Sequence, residues 1–253
     1  MTATLAVYAA MLGTAVGSFL NVCIHRLPLR LSLMWPASHC PACRAPVKPY
    51  DNIPVASYLW LGGRCRSCRA PISMKYPLVE LATGVVFLGA FLLFDSPVLI
   101  QRLLFACAMI VLFVVDLEHR ILPDVITLPG IVIGFLFSFF MPPGWIDSLI
   151  GIAVGGGSLW LLGEVYFRVR HEEGMGFGDV KMLAMIGAFL GWKLMLLTLI
   201  LSSFIGSIVG VIVITLNRGN MKYALPFGTF LAVGALVASV AGERIVEWYA
   251  SFF

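Results

Sequence analysis

Residues 174–191 read GMGFGDVKMLAMIGAFLG, and the reading of this stretch decides how many times the chain crosses a membrane. Three glycines and Asp179 lead into the apolar run VKMLAMIGAFLG (180–191). That run is shorter than the ~20 apolar residues that a lipid-exposed spanning helix needs. With its flanks it suffices where the bilayer thins or where other helices surround it. Counting it adds one crossing and sets the direction of every later segment.

The composition assigns the rest of the chain to a bilayer. Of 253 residues, 60% are hydrophobic and 12% charged, against roughly 25% charged in a soluble domain. Apolar runs predict spans near 4–24, 76–94, 98–115, 124–141, 147–167, 194–216 and 224–248, and 180–191 makes an eighth. The first run has no basic residue before it, unlike a cleaved signal peptide, and is read as a retained span. The net charge of +4 is modest, and no nucleic-acid partner is expected. Its distribution says more. With eight crossings and the N-terminus outside, the loops 25–75, 116–123, 168–181 and 217–223 face the cytoplasm and hold every Lys and Arg except Arg102, Lys193 and Arg244. Basic residues favour that side of short loops. Without 180–191 as a crossing, Arg218 and Lys222 would lie outside. The expected fold is an all-α integral membrane protein of about eight transmembrane segments with both termini outside. It has three parts: a first span (1–24), a cytoplasmic tetracysteine loop (25–75) and a polytopic core (76–253).

CPACRAPV (40–47) and CRSCRAPI (65–72) are near-copies. Two such C-x-x-C hairpins bring together Cys40, Cys43, Cys65 and Cys68, a donor set suited to tetrahedral zinc. The loop is too short to build a core of its own and needs a staple. Disulfides are disfavoured in a reducing cytoplasm, and a redox C-x-x-C normally occurs once, on a thioredoxin-like scaffold. Four thiolates leave no open position for water, so the metal is structural. His39 reads as a solvated loop histidine. Cys23 and Cys107 stand singly in apolar segments and read as small buried residues.

FVVDLEHRILPDVITLP (113–129) carries two aspartates. Asp116 ends an apolar run, and an ionisable group at that depth is a functional candidate by default. Asp124 follows Pro123 and opens the next helix, which suits an N-cap. Glu118 and His119 belong to the cytoplasmic turn. Asp179 alone is equally open to capping and catalysis. Two things favour catalysis: Asp116 and Asp179 fall at the same membrane boundary, and Gly176 and Gly178 permit close approach of another backbone. Two carboxylates in contact share a proton; one deprotonates water while the other protonates a carbonyl oxygen. Lys181 reads as an interfacial anchor that also supports Asp179. Glu80 and Glu164 interrupt apolar spans and are expected to be buried, neutral and hydrogen-bonded. Structural and functional roles are even for Glu80, a candidate polar contact for a cofactor. VGGGS (154–158) reads as close helix packing, and no Rossmann glycine fingerprint is present. A proton-coupled carrier relaying through Glu80, Asp116, Glu164 and Asp179 is the competing reading, but the internal repeat common in carriers is not found in the spans.

Six motifs resemble, in order, the type IV prepilin peptidase family. They are GSFLNVCIHRLP (17–28), the paired C-x-x-C segments with DNIPVASYLWLGGRC (51–65), YPLVELATG (76–84), VVDLEHRILPD (114–124), GMGFGDVKML (174–183) and LPFGTFLAVGA (225–235). The family's G-x-G-D signature falls on Gly176, Phe177, Gly178 and Asp179. The resemblance implies a bifunctional leader peptidase and N-methyltransferase of the bacterial inner membrane, with catalytic Asp116 and Asp179. It implies prepilin or type II secretion pseudopilin substrates with a short basic leader, cleaved after a glycine at the cytoplasmic face. The new N-terminal residue, often phenylalanine, is then methylated from S-adenosylmethionine. One departure is Cys23, where a small apolar residue is commoner. A related G-x-G-D peptidase acting on preflagellins or remnant signal peptides is the neighbouring alternative.

Overall fold

The computed structural model describes residues 2–171, 176–216 and 226–252; the expectations attached to Gly174, Met175, Arg218, Lys222 and Leu225 lie outside them. Apart from two isolated β-bridges and a 3-10 turn at Pro49–Asn52, the regular structure described is α-helical. The helices are α1 (Thr2–Arg26), α2 (Ala56–Trp60), α3 (Lys75–Leu93), α4 (Val98–His119), α5 (Asp124–Phe137), α6 (Trp145–Arg170), α7 (Phe177–Leu216) and α8 (Phe227–Ala250). Six of them, all but α2 and α5, are long and apolar enough to cross a membrane. The chain is a membrane protein. It forms two compact units, Met1–Leu99 and Ile100–Phe253.

In the first unit α1 packs on α3. The fit is close because Gly17 faces the α3 backbone: a Cβ there would stand 2.7 Å from the Glu80 Cα. One turn on, Asn21 Nδ2 donates to the Tyr76 carbonyl at 3.0 Å. Arg26 closes the end of α1, its guanidinium donating to the carbonyls of Ser32 and Pro36. Between Leu27 and Met74 the only buried residue is Cys40, so this loop has no apolar core.

The second unit is organised around α7. Met182, Leu183, Met185, Ile186 and Phe189 form its core with Phe105, Met109 and Leu112 of α4 and Leu231, Ala232 and Ala235 of α8. Gly191 breaks α7, with φ 76° and ψ 172°, a backbone state that glycine alone enters without cost. The helix before the break, 177–190, is about 21 Å long at 1.5 Å per residue, short of the ~30 Å hydrocarbon thickness. Every residue from Met182 to Gly191 is buried, whereas Ile200, Phe204, Val211 and Leu216 beyond the break are exposed. The apolar run 180–191 is thus part of a short helix surrounded by protein. Its glycine content serves packing too. Gly151 of α6 and Gly187 of α7 lie backbone to backbone, each leaving no room for a Cβ on the other. Ser148 Oγ donates across the same crossing to the Ala188 carbonyl at 2.8 Å. In VGGGS, Gly155 and Gly156 abut α7 while Gly157 faces open space.

α5 stops at Phe137, short of the expected boundary near 141, because the chain turns through Phe139 and Met141 into Pro142 and Pro143. Two consecutive prolines cannot extend a helix. At this end of the unit the fully buried Gln101 donates from Nε2 to the carbonyls of Pro142 (3.3 Å) and Phe189 (3.4 Å), tying α4 to the turn and to the end of the short helix.

Candidate active site and metal centre

The opposite end of the second unit gathers the C-terminus of α4 and the N-termini of α5, α7 and α8. α4 ends when Arg120 enters the left-handed region (φ 54°) while its N–H donates to the Asp116 carbonyl at 2.8 Å. Asp116 is the last buried residue of α4, 5% exposed. Its Oδ2 accepts two hydrogen bonds from one residue of α8, the Thr229 N–H at 2.7 Å and the Thr229 Oγ1–H at 3.0 Å. The Thr229 amide is among the first N–H groups of α8, which have no intrahelical partner. The positive end of that helix also favours a nearby carboxylate. Asp179 lies in the first turn of α7, its N–H donating to the Gly176 carbonyl at 3.1 Å. Asp179 comes to the same place as Asp116 because Gly178, the residue before it, packs on Leu122, which also lies against Gly228 beside the Asp116 carboxylate.

Leu122, in the turn between α4 and α5, holds these ends together. A Cβ on Gly178 would stand 2.9 Å from the Leu122 Cβ, and one on Gly228 would stand 2.9 Å from the Leu122 Cδ1 and 3.0 Å from the Asp116 Oδ2. Gly178 and Gly228 immediately precede Asp179 and Thr229, so side chains at either position would push the starts of α7 and α8 away from Asp116. Gly176 is exposed; a Cβ there would have the Asp179 Oδ2, at 3.7 Å, as its nearest neighbour. Lys181 engages Asp124, its Nζ at 2.7 and 2.8 Å from the two carboxylate oxygens, and clasps the start of α7 to the start of α5. The expectation of Asp124 as an N-cap is corrected here. The N-cap is Pro123, and Asp124, the first helical residue, makes no capping bond because its carboxylate is turned to Lys181.

In the first unit the two cysteine hairpins fold alike. Cys40 N–H donates to the Ala45 carbonyl (2.9 Å) and Arg44 N–H to the Cys40 carbonyl (2.8 Å); Cys65 and Arg69 repeat the pattern at 2.9 and 3.0 Å. Arg44 and Arg69 both sit at positive φ, 58° and 60°, so the sequence repeat is a structural repeat. The four sulfurs lie within 4.8 Å of one another, with Cys40–Cys68 at 3.8 Å and Cys43–Cys65 at 4.0 Å. These separations are too long for disulfides. A tetrahedron of sulfurs at 2.3 Å from a zinc ion has edges of about 3.8 Å, so the cluster can hold a metal. The backbone N–H groups of Cys68 and Ser67 bring the Cys65 thiol down to about 6, while Cys68 beside it, against the pull of the Ala70 N–H, is pushed up to about 11 by desolvation and by hydrogen bonds to the other sulfurs; the cluster is held together by its geometry, not by four thiolates. Arg66, inside the second hairpin, grips Asp51 through Nε and Nη2 at 2.6–3.0 Å. His39 is exposed and its side chain bonds to its own loop, through Nδ1 to the Ala37 carbonyl at 3.1 Å.

Two family descriptions match the chain in tandem: the Bacterial Peptidase A24 N-terminal domain over residues 11–94 and the Type IV leader peptidase family over residues 103–211. The chain belongs to the type IV leader peptidase family. It is 37% identical to the prepilin leader peptidase/N-methyltransferase of Pseudomonas aeruginosa over 269 residues, an alignment covering 96% of this chain and 92% of the relative. Proteins of the same description from Aeromonas salmonicida (38%; 93% and 90% covered) and Legionella pneumophila (34%; 94% and 92% covered) are similar throughout. No solved structure matches the chain.

The remaining acids of this leader peptidase family member divide. Glu80 is buried on α3 and its Oε2 accepts the Val55 N–H at 2.8 Å. Val55 is held at φ 60°, an unusual state for a β-branched residue, so Glu80 pins the loop onto α3 through a strained residue. Glu164 departs from the expectation of a buried, neutral acid. Its side chain is 35% exposed and pairs with Arg168 at 2.8 Å, because the i,i+4 spacing sets the two one turn apart. Thr229, through its bonds to Asp116, belongs to the candidate site and is not singled out by the sequence. Its signals are its place in the motif LPFGTFLAVGA (225–235) and a hydroxyl residue just after a glycine at a helix start, which by itself reads as ordinary helix initiation.

Proposed function

We infer that this protein removes the leader peptide from prepilins or pseudopilins at the cytoplasmic membrane face and methylates the new N-terminus. The observation that carries this reading is similarity along nearly the whole chain to prepilin leader peptidase/N-methyltransferases, together with two carboxylates, Asp116 and Asp179, placed where the ends of α4, α5, α7 and α8 gather. Asp116 and Asp179 are the hydrolytic pair. Water bound between them attacks the scissile carbonyl while one carboxylate takes a proton and the other supplies one. Gly178 and Gly228 keep the helix starts close, and Lys181 fixes α7 through Asp124.

Eight crossings follow when α7 is divided at Gly191 and α5 is counted, with both termini outside and a bacterial inner membrane as the setting. The two ends of the second unit suit this orientation. Arg120 and Lys181 lie at the carboxylate end, and Arg102 and Lys193 toward the other. Zinc fits the four-cysteine cluster and would be held by Cys40, Cys43, Cys65 and Cys68 in a structural role. S-adenosylmethionine supplies the methyl group when bound. In the first unit the chemistry suited to its cationic, hydrogen-bond-donating groups is offered by the Glu80 carboxylate and by Asn21 Oδ1, a buried acceptor without a hydrogen-bond partner among the described residues.

Purified protein incubated with a prepilin and labelled S-adenosylmethionine is expected to give a product that has lost its leader and gained one methyl group, read by intact mass. Recovery of unprocessed, unlabelled precursor overturns the reading. Cleavage of a preflagellin or remnant signal peptide in place of the prepilin transfers it to the related alternative.

A further inference from the structure

We propose that Thr229 is a positioning residue of the peptidase centre, holding Asp116 as the carboxylate that takes the proton from water. The proposal rests on the function inferred above. Both donors of Thr229 end on the same oxygen, Asp116 Oδ2. An amide N–H can only donate, so an oxygen that accepts from it and from a hydroxyl holds negative charge in preference to the carboxyl proton. Oδ1 is then the oxygen of Asp116 left for water. Among the described residues, no side-chain or backbone donor comparable to Thr229 serves the Asp179 carboxylate, whereas Asp116 has two. The shared proton of the pair therefore belongs on Asp179.

The surroundings keep this arrangement in place. Thr229 is 6% exposed, and its β-branched side chain has restricted χ1 freedom, so the hydroxyl is held in position. The bare Cα of Gly228 is what admits the Thr229 amide to the carboxylate, since a Cβ there would meet Asp116 Oδ2 at 3.0 Å.

The step balances. The water oxygen bonds to the scissile carbonyl carbon, its proton passes to Asp116 Oδ1, and the proton of Asp179 passes to the carbonyl oxygen, giving a gem-diol. As the C–N bond breaks, Asp116 gives its proton to the amine nitrogen. One diol hydroxyl returns a proton to Asp179, and acid and amine leave with the pair restored.

Thr229→Val keeps the shape and the amide but removes the hydroxyl; Thr229→Ser keeps both donors. Losing a hydrogen bond to a charged group is expected to lower kcat for leader cleavage by about 10- to 100-fold in Thr229→Val. KM should stay unchanged, Thr229→Ser should remain within about two-fold of the parent, and methylation of a pre-cleaved pilin should hold its parental rate in both. A parental kcat in Thr229→Val overturns the proposal. So does a loss shared equally by cleavage, methylation and thermal stability, which marks a purely structural residue. Failure of the peptidase reading itself would look different: Asp116→Asn would then cleave normally whatever Thr229→Val does.

Discussion

Asp116→Asn and Asp179→Asn, made singly, are each expected to lower leader cleavage by on the order of 10³-fold or more while leaving the protein folded. Asparagine has the shape of aspartate, and its carbonyl oxygen can still accept the two hydrogen bonds that Thr229 sends to Asp116. What it lacks is the ability to gain and lose the proton. In Asp179→Asn the pair keeps its single negative charge, because a neutral amide replaces a carboxyl that already holds the shared proton, so thermal stability in detergent should stay close to the parent's. Residues that act as a unit lose nearly everything when either is removed, which is why two large, similar losses are expected. Parallel cleavage kinetics and thermal melts check both halves. A variant that cleaves at the parental rate removes its residue from the mechanism, and one that melts far below the parent makes the loss uninformative about chemistry.

The second large effect concerns the cysteine loop. Stripping the metal with a strong chelator, or replacing Cys40 and Cys68 together by serine, should unfold residues 27–74 while the second unit stays intact. Cys40 is the sole buried residue of that segment. The Asp51–Arg66 pair is half-exposed on the arginine side, and such surface pairs hold little. A structural zinc site supplies roughly 10–16 kcal/mol of apparent binding free energy in small peptides, and nothing else in the loop approaches that. Limited proteolysis before and after chelation should give new cuts confined to the loop, and elemental analysis should find about one zinc per chain. An unchanged digestion pattern in metal-free protein would mean that the hairpins hold by their backbone bonds alone.

The elements legible in the sequence are those whose physics is local. The Cys repeat announces its hairpins because C-x-x-C followed by a residue at positive φ is written twice, ending at Arg44 and Arg69. The apolar runs announce the long helices, and Asp116 stands out because a charge at the end of an apolar run is costly. The features that are not legible depend on distant partners. Lys181 and Asp124 are 57 positions apart, and Asp116 and Thr229 are 113 apart; no spacing rule connects them. Hydropathy places the end of α5 too far along because it continues through Phe139 and Phe140, although the backbone has already turned. The short run at 180–191 is recognisable as apolar, but its ability to stand so short depends on α4, α5, α6 and α8 covering it, which only the packed unit reveals.

Asp116 and Asp179 are expected to act together on one tetrahedral carbon. A precursor peptide whose scissile amide is replaced by a hydroxyethylene group tests it directly, because its hydroxyl takes the place of the attacking water. Titrated against the purified protein, this peptide should bind at least about 100-fold more tightly than the uncleaved sequence and lose that advantage in either Asp116→Asn or Asp179→Asn. Equal affinity for the parent and both variants would mean that the two carboxylates do not act on that carbon.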